Sequence, residues 1–290
     1  MKLSFYQCPN CGAHLAVDCG VNEPDCYYCG HVLAKTDSAE NTELPREYVP
    51  FSITREKAQQ IFLDSMRGKH FLPRLLREEE MQERLQNVWI PYWVYDSTLS
   101  GELAAQATDI HTWDNGNVQY TETKFYDVIR EGTVTLANMG WNALENQREL
   151  LCTSVFPYDL TKREFFTPDS VLGCQAEIPN RKIEDCEAEA QQAEKKYAGQ
   201  VLLDSVSGYT AVTVGRHKET VTKEHWSCVL LPVWALTICG RRGQLFYFSI
   251  NGQTGQTFAK LPLDRKKVFG LAGGVFFAVL LAMLLLFYFL

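Results

Sequence analysis

The chain has 290 residues, a formal net charge of −7 and 46% hydrophobic residues, with Trp, Tyr and Phe spread along its length. That length supplies a sizeable core, and the apolar content excludes a disordered polyelectrolyte. The acidic balance argues against a surface built for nucleic-acid phosphates, which calls for clustered lysine and arginine.

The first motif is Cys8-Pro9-Asn10-Cys11-Gly12 with Cys26-Tyr27-Tyr28-Cys29-Gly30, a C-x2-C-x14-C-x2-C pattern. Each C-x2-C turn aims two sulfurs at one point, and the glycine that follows permits the tight backbone such a knuckle needs. Four thiolates leave no open coordination position. The spacing therefore predicts one closed, structural Zn2+ held by Cys8, Cys11, Cys26 and Cys29 in a zinc ribbon over residues 1–33, because a hydrolytic zinc needs a water-filled corner. Iron in the same cage, two disulfides and a redox pair are the alternatives; the absence of a βαβ pattern around either CxxC disfavours the last. Cys19, His14 and His31 read as bystanders. Residues 1–50 carry three basic against seven acidic side chains, so the ribbon lacks a basic face.

Residues 34–50 are polar, acidic and without hydrophobic period, and read as a linker to an α+β region over 51–262. Thr54 reads as a helix N-cap, followed by Ala58, Ile61, Phe62, Ser65 and Met66 on one face. Asp114-Asn115-Gly116-Asn117 marks a hairpin in which Asn-Gly suits a type I′ turn. Ile183, Cys186, Ala190, Ala193 and Tyr197 form the apolar stripe of a second helix. Glu184, Asp185, Glu187, Glu194, Lys195 and Lys196 take its other side. Asn251-Gly252-Gln253-Thr254-Gly255 marks another turn between aromatic strands, so the sheet is expected to be mainly antiparallel. The octapeptides 88–95 (VWIPYWVY) and 229–236 (VLLPVWAL) align without a gap, which implies two related lobes, about 51–150 and 151–262. Proline belongs at a strand edge or bulge, and Trp93 and Trp234 read as core plugs.

Catalytic signals are sparse. His225 and Cys228 are three apart and would face opposite sides of a strand. His70, His111 and His217 are isolated, the last in a basic run read as a solvated turn. Cys152, Cys174, Cys186 and Cys239 read as small buried apolar groups.

Residues 268–290 contain no charged residue and no proline, and at about 1.5 Å per residue they exceed a hydrocarbon core of about 30 Å. This is a transmembrane helix, and since the sequence stops inside the apolar run it reads as a tail anchor. Arg265, Lys266 and Lys267 against Asp264 place the preceding residues in the cytosol. The lack of a signal peptide and the cysteines in metal spacing agree with a reducing compartment. Gly270 and Gly274 form a GxxxG.

The two knuckles, then WIPYWVYD, then PVW followed by NGQTG and a Leu-Pro before an apolar span, resemble a family of membrane-attached zinc-ribbon proteins of Gram-positive bacteria. These are usually labelled transcription-factor-IIB-type zinc-ribbon-containing proteins. The resemblance covers nearly the whole chain and implies membrane attachment, a metal-bound ribbon, no transferable catalytic activity, and association with SPFH-type and phage-shock-type membrane-stress proteins. Where relatives carry a lysine-rich strand after PVW, this chain has residues 237–242, TICGRR. Three functions are therefore weighed: a membrane-anchored cytosolic adaptor that docks protein partners and is not an enzyme, a membrane-tethered nucleic-acid binder, and an enzyme with a cleft between lobes.

Overall fold

A computed structural model describes residues 3–18, 23–36, 45–77, 79–145, 149–167, 170, 173–239 and 244–289. The bystander Cys19, and Arg241 and Arg242, lie outside these. In chain order come β1 (Leu3–Gln7), β2 (His14–Asp18), β3 (Ala34–Lys35), β4 (Glu47–Tyr48), α1 (Arg55–Met66) and α2 (Glu79–Glu83). Then follow β5 (Gln86–Asn115), β6 (Val118–Asn142), α3 (Glu149–Thr153), β7 (Glu164–Phe165) and β8 (Gln175–Glu177). The last are α4 (Glu184–Asp204), β9 (Ala211–Cys239), β10 (Leu245–Asn251), β11 (Thr257–Lys260) and α5 (Arg265–Phe289). The protein is thus mixed α+β with a large sheet in the order β11-β10-β9-β5-β8-β2-β1-β3. The pairs β1–β2, β1–β3, β2–β8, β4–β7, β5–β6, β9–β10 and β10–β11 are antiparallel, and β5 pairs with β8 in parallel.

The chain divides into two compact units. One is Met1–Pro91 with Leu144–Ile178 and Leu230–Leu290; the other is Tyr92–Ala143 with Pro179–Val229. This interleaved division differs from consecutive lobes over 51–150 and 151–262, because β5 and β9 are long enough to contribute to both units. Pro91 is the last residue of the first unit on β5, and β9 passes back into it two residues before Pro232.

In the first unit, Thr54 caps α1 as expected, its Oγ1 accepting the Lys57 N–H at 3.3 Å. Ala58, Phe62 and Met66 turn inward onto Trp234, Leu236, Phe248 and Ile250. Neither Pro91 nor Pro232 lies on an edge strand. Each falls one residue outside a ladder, since β5–β6 begins at Tyr92↔Asn142 and β9–β10 ends at Val233↔Asn251. A residue without an N–H loses little just beyond a ladder. An asparagine thus faces the residue after proline in both repeats, and both asparagines are buried. Asn251 organises the 251–255 turn: its Nδ2 donates to the carbonyls of Val155 (2.8 Å) and Pro157 (3.0 Å), and its Oδ1 accepts from the N–H groups of Gln253 (2.8 Å) and Thr254 (2.9 Å). A Cβ at Gly252 would lie 2.5 Å from the Phe51 ring and 2.8 Å from Pro232 Cβ, so only glycine fits there.

The segment read as a linker is anchored at both ends. β3 pairs with β1, β4 pairs with β7, and the Val49 N–H donates to the Leu230 carbonyl at 2.9 Å. Two-residue strands carry no readable period; residues 37–44 lie outside the described residues.

In the second unit β5 and β6 form a long hairpin closed by Asn115↔Val118. The two central residues are Gly116 and Asn117, and the positive φ (65°) falls on Gly116. Glycine first is the II′ pattern, not the expected I′. A bulge gives β6 two residues against Asp96; Asn138 adopts φ 61° and donates its N–H to Asp96 Oδ1 at 2.7 Å. α4 buries Cys186, Ala190, Glu194, Ala198 and Leu202, while Tyr197 is exposed. The stripe therefore runs along an i, i+4 ridge instead of the expected three-four alternation, bringing Glu194 in and turning Tyr197 out. Buried Glu194 accepts the Tyr95 hydroxyl at 3.3 Å. Burial, then the Glu194 carboxylate, pushes Tyr95 up to about 12.

Candidate metal centre

The two knuckles are built alike. In the first, the Cys8 N–H donates to the Ala13 carbonyl (2.8 Å) and the Gly12 N–H to that of Cys8 (3.0 Å). In the second, the Cys26 N–H donates to His31 (2.8 Å) and the Gly30 N–H to Cys26 (2.8 Å). Gly12 and Gly30 sit at φ 72° and 71°, the left-handed region that explains glycine after each second cysteine. These turns bring the sulfurs of Cys8, Cys11, Cys26 and Cys29 within 4.8 Å of one another. Cys8 Sγ lies 3.4 Å from Cys29 Sγ, and Cys11 Sγ 3.7 Å from Cys26 Sγ. A tetrahedron of metal–sulfur bonds of about 2.3 Å has an edge of about 3.8 Å. The four side chains can therefore hold a metal ion.

The electrostatics are those of thiols crowded together. A hydrogen bond from Cys26 holds the Cys11 thiol down at about 5, and the same bond with burial pushes Cys26 up. Burial also raises Cys29. A cation at the centre would favour the thiolate at every position. His14 and His31 bond elsewhere, to Gln7 Nε2 (3.1 Å) and to the Cys29 carbonyl (3.4 Å).

The cysteine segment rests on a seat that no motif in the sequence marks. β2 pairs with β8 from Leu15↔Glu177 to Val17↔Gln175. The Tyr27 N–H donates to Gln175 Oε1 (3.3 Å), Gln175 Nε2 donates to the Asp25 carbonyl (2.7 Å), and the Tyr27 hydroxyl donates to the buried Glu177 carboxylate. Gln175 and Glu177 stand about 150 positions from their partners on a three-residue strand, so no local pattern marks them.

The other sequence candidates do not converge. Cys228 lies in β9 with its thiol pushed up to about 12 by burial, the opposite of what a nucleophile needs, while His225 is exposed. His217 is in β9, not in a turn, with Nδ1 3.3 Å from Glu219. His111 stacks on Trp113 at 5.5 Å. Cys152 and Cys186 are buried as expected, Cys174 accepts from Asn87 Nδ2 at 2.8 Å, and the side chain of Cys239 lies outside the described residues.

α5 is the second functional feature. It is 25 residues long, an 18-residue stretch of it has a mean hydropathy of 2.6, and none of its residues is buried, which makes it long and apolar enough to cross a membrane. It starts three residues before the expected 268. Asp264 begins it, with Oδ1 accepting the Lys266 N–H (3.1 Å) and the carbonyl accepting that of Val268 (3.1 Å). Two bonds fasten this end to the body: the Asp264 N–H to the Phe71 carbonyl (2.7 Å) and Lys267 Nζ to that of Leu72 (2.7 Å).

No family model matches the chain, and no solved structure does. A protein of Bacillus subtilis strain 168, the uncharacterized protein YdjG, is 29% identical over 335 residues, covering 97% of this chain and 98% of its own. The chain is thus similar along nearly its whole length to a protein whose name assigns it no activity.

Proposed function

We propose that this protein is an adaptor anchored in the bacterial cell membrane by α5, with its body in the cytosol and one structural Zn2+ in a ribbon built on Cys8, Cys11, Cys26 and Cys29. The observation that carries the reading is the pairing of an apolar helix without buried residues with a four-sulfur cluster fastened to the sheet. Four sulfurs suit zinc and leave no position for a substrate, which gives the metal a structural role. Arg265, Lys266 and Lys267 at the start of α5 favour a cytosolic body. The resemblance to membrane-attached ribbon proteins points to protein partners of the SPFH or phage-shock type.

Orientation and docking are tested together in intact membranes. Protease added outside cells should spare the body, and inverted vesicles should lose it. Crosslinking followed by purification of the full chain should capture a membrane-stress protein that Cys8→Ser fails to capture. Cleavage from outside, or the same captured proteins with and without Cys8, would overturn the adaptor reading.

A further inference from the structure

Beside the first turn of α5 lies a groove of about 980 Å³, within the size range of ligand pockets. Leu76, Ile238, Phe246 and Leu261 line it from the body, and Val268 and Phe269 from the helix. Leu76 belongs to the main core, and Ile238 and Leu261 pack against it, so the wall is fixed by core packing. The helix side is fixed by the Asp264 and Lys267 bonds to Phe71 and Leu72. The groove lies beside the start of the apolar run, and Asp264, Arg265 and Lys266 complete its edge along the chain as polar lining residues.

The charges on that edge are unequally engaged. Lys267 faces Asp264 at 3.8 Å, and Asp264 already caps the helix. Arg265 and Lys266 are exposed and have no acidic partner among the described residues. An apolar groove beside a membrane-crossing helix and edged by two such cations matches a molecule with a hydrocarbon tail and a negative head. We infer that the groove holds the acyl chain of an anionic phospholipid whose headgroup phosphate is gripped by Arg265 and Lys266. The inference rests on the reading of α5 as a membrane anchor.

The full chain is tested in nanodiscs of equal parts phosphatidylglycerol and phosphatidylcholine, then released into mild detergent for native mass spectrometry. The expected result is severalfold more phosphatidylglycerol than phosphatidylcholine retained per protein. The double variant Arg265→Gln, Lys266→Gln should bring the two lipids level while still entering the nanodisc. Leu261→Trp, which fills the groove, should lower retention of both, with circular dichroism unchanged. Equal retention by the unaltered chain, an undiminished preference in the double variant, or a lipid-free dimer that assigns the groove to a second copy would each overturn the lipid site alone. Failure to enter the nanodisc at all would overturn the anchor together with it.

Discussion

Trp234 and Trp93 occupy matching places after the two prolines, but their surroundings differ. Trp234 is 4% exposed, packs edge-on to Phe51 at 5.4 Å and donates its indole N–H to the Ile53 carbonyl at 3.0 Å. Trp93 is half-buried, its indole N–H bonded to the Arg181 carbonyl at 2.9 Å. We expect Trp234→Ala to cost about 3 to 5 kcal/mol and Trp93→Ala distinctly less, read by denaturant unfolding. Equal losses would mean the half-buried indole has a role that its contacts do not explain. A second outcome concerns pH. Burial raises Tyr95, Cys152 and Cys228 to about 12 each. These groups stay neutral in the folded protein after their unfolded counterparts ionise, at about 8.5 for cysteine and about 10 for tyrosine. Stability is therefore intact below about pH 8.5 and falls as pH rises toward 12. Tyr95→Phe should flatten the part of that fall above about pH 10 in a pH series of unfolding midpoints. At this scale the sequence displayed the four ligands and the NGQTG turn, because both depend on near neighbours. It hid Glu194, Gln175 and Glu177, whose burial comes from elements distant in the chain.

The cysteine segment was expected to hang from a linker, and the β2–β8 pairing with the Tyr27–Glu177 bond makes it part of a larger sheet. If the four sulfurs hold the proposed metal, its loss should be felt beyond residues 3–36. In Cys8→Ser, hydrogen exchange should accelerate in β1, β2 and β8, while α1 and β10, held by the Phe62–Phe248 contact at 5.1 Å, keep their protection. Acceleration confined to residues before 37 would restore the independent-ribbon view. α1 and the β5–β6 and β10–β11 hairpins were legible because cap, stripe and turn are written within a dozen residues. The strands β3, β4, β7 and β8 have two or three residues each, and their existence depends wholly on remote partners.

For the whole molecule, the repeat suggested two lobes in succession, whereas the compact units interleave along β5 and β9. A gapless octapeptide match reports similar local surroundings and is silent on which core each strand joins. α5 contributes no buried residue to either unit. Removing residues 265–289 should accordingly leave a protein that elutes as a folded species without detergent and carries the same metal content by elemental analysis as the full chain; aggregation or a lower metal content than the full chain would show that the helix is needed by the body. The interleaving also sets an order of events on the ribosome. Cys29 completes the four-sulfur set early, but Glu177 lies 150 residues after Tyr27, and β10 and β11 follow the last residue of the second unit. At about 5 to 20 residues per second, the nascent thiols wait on the order of ten seconds for their seat. A cation captured in that interval would act as a temporary clasp, keeping the growing chain's cysteines from wrong partners until the strands that shelter them have been translated.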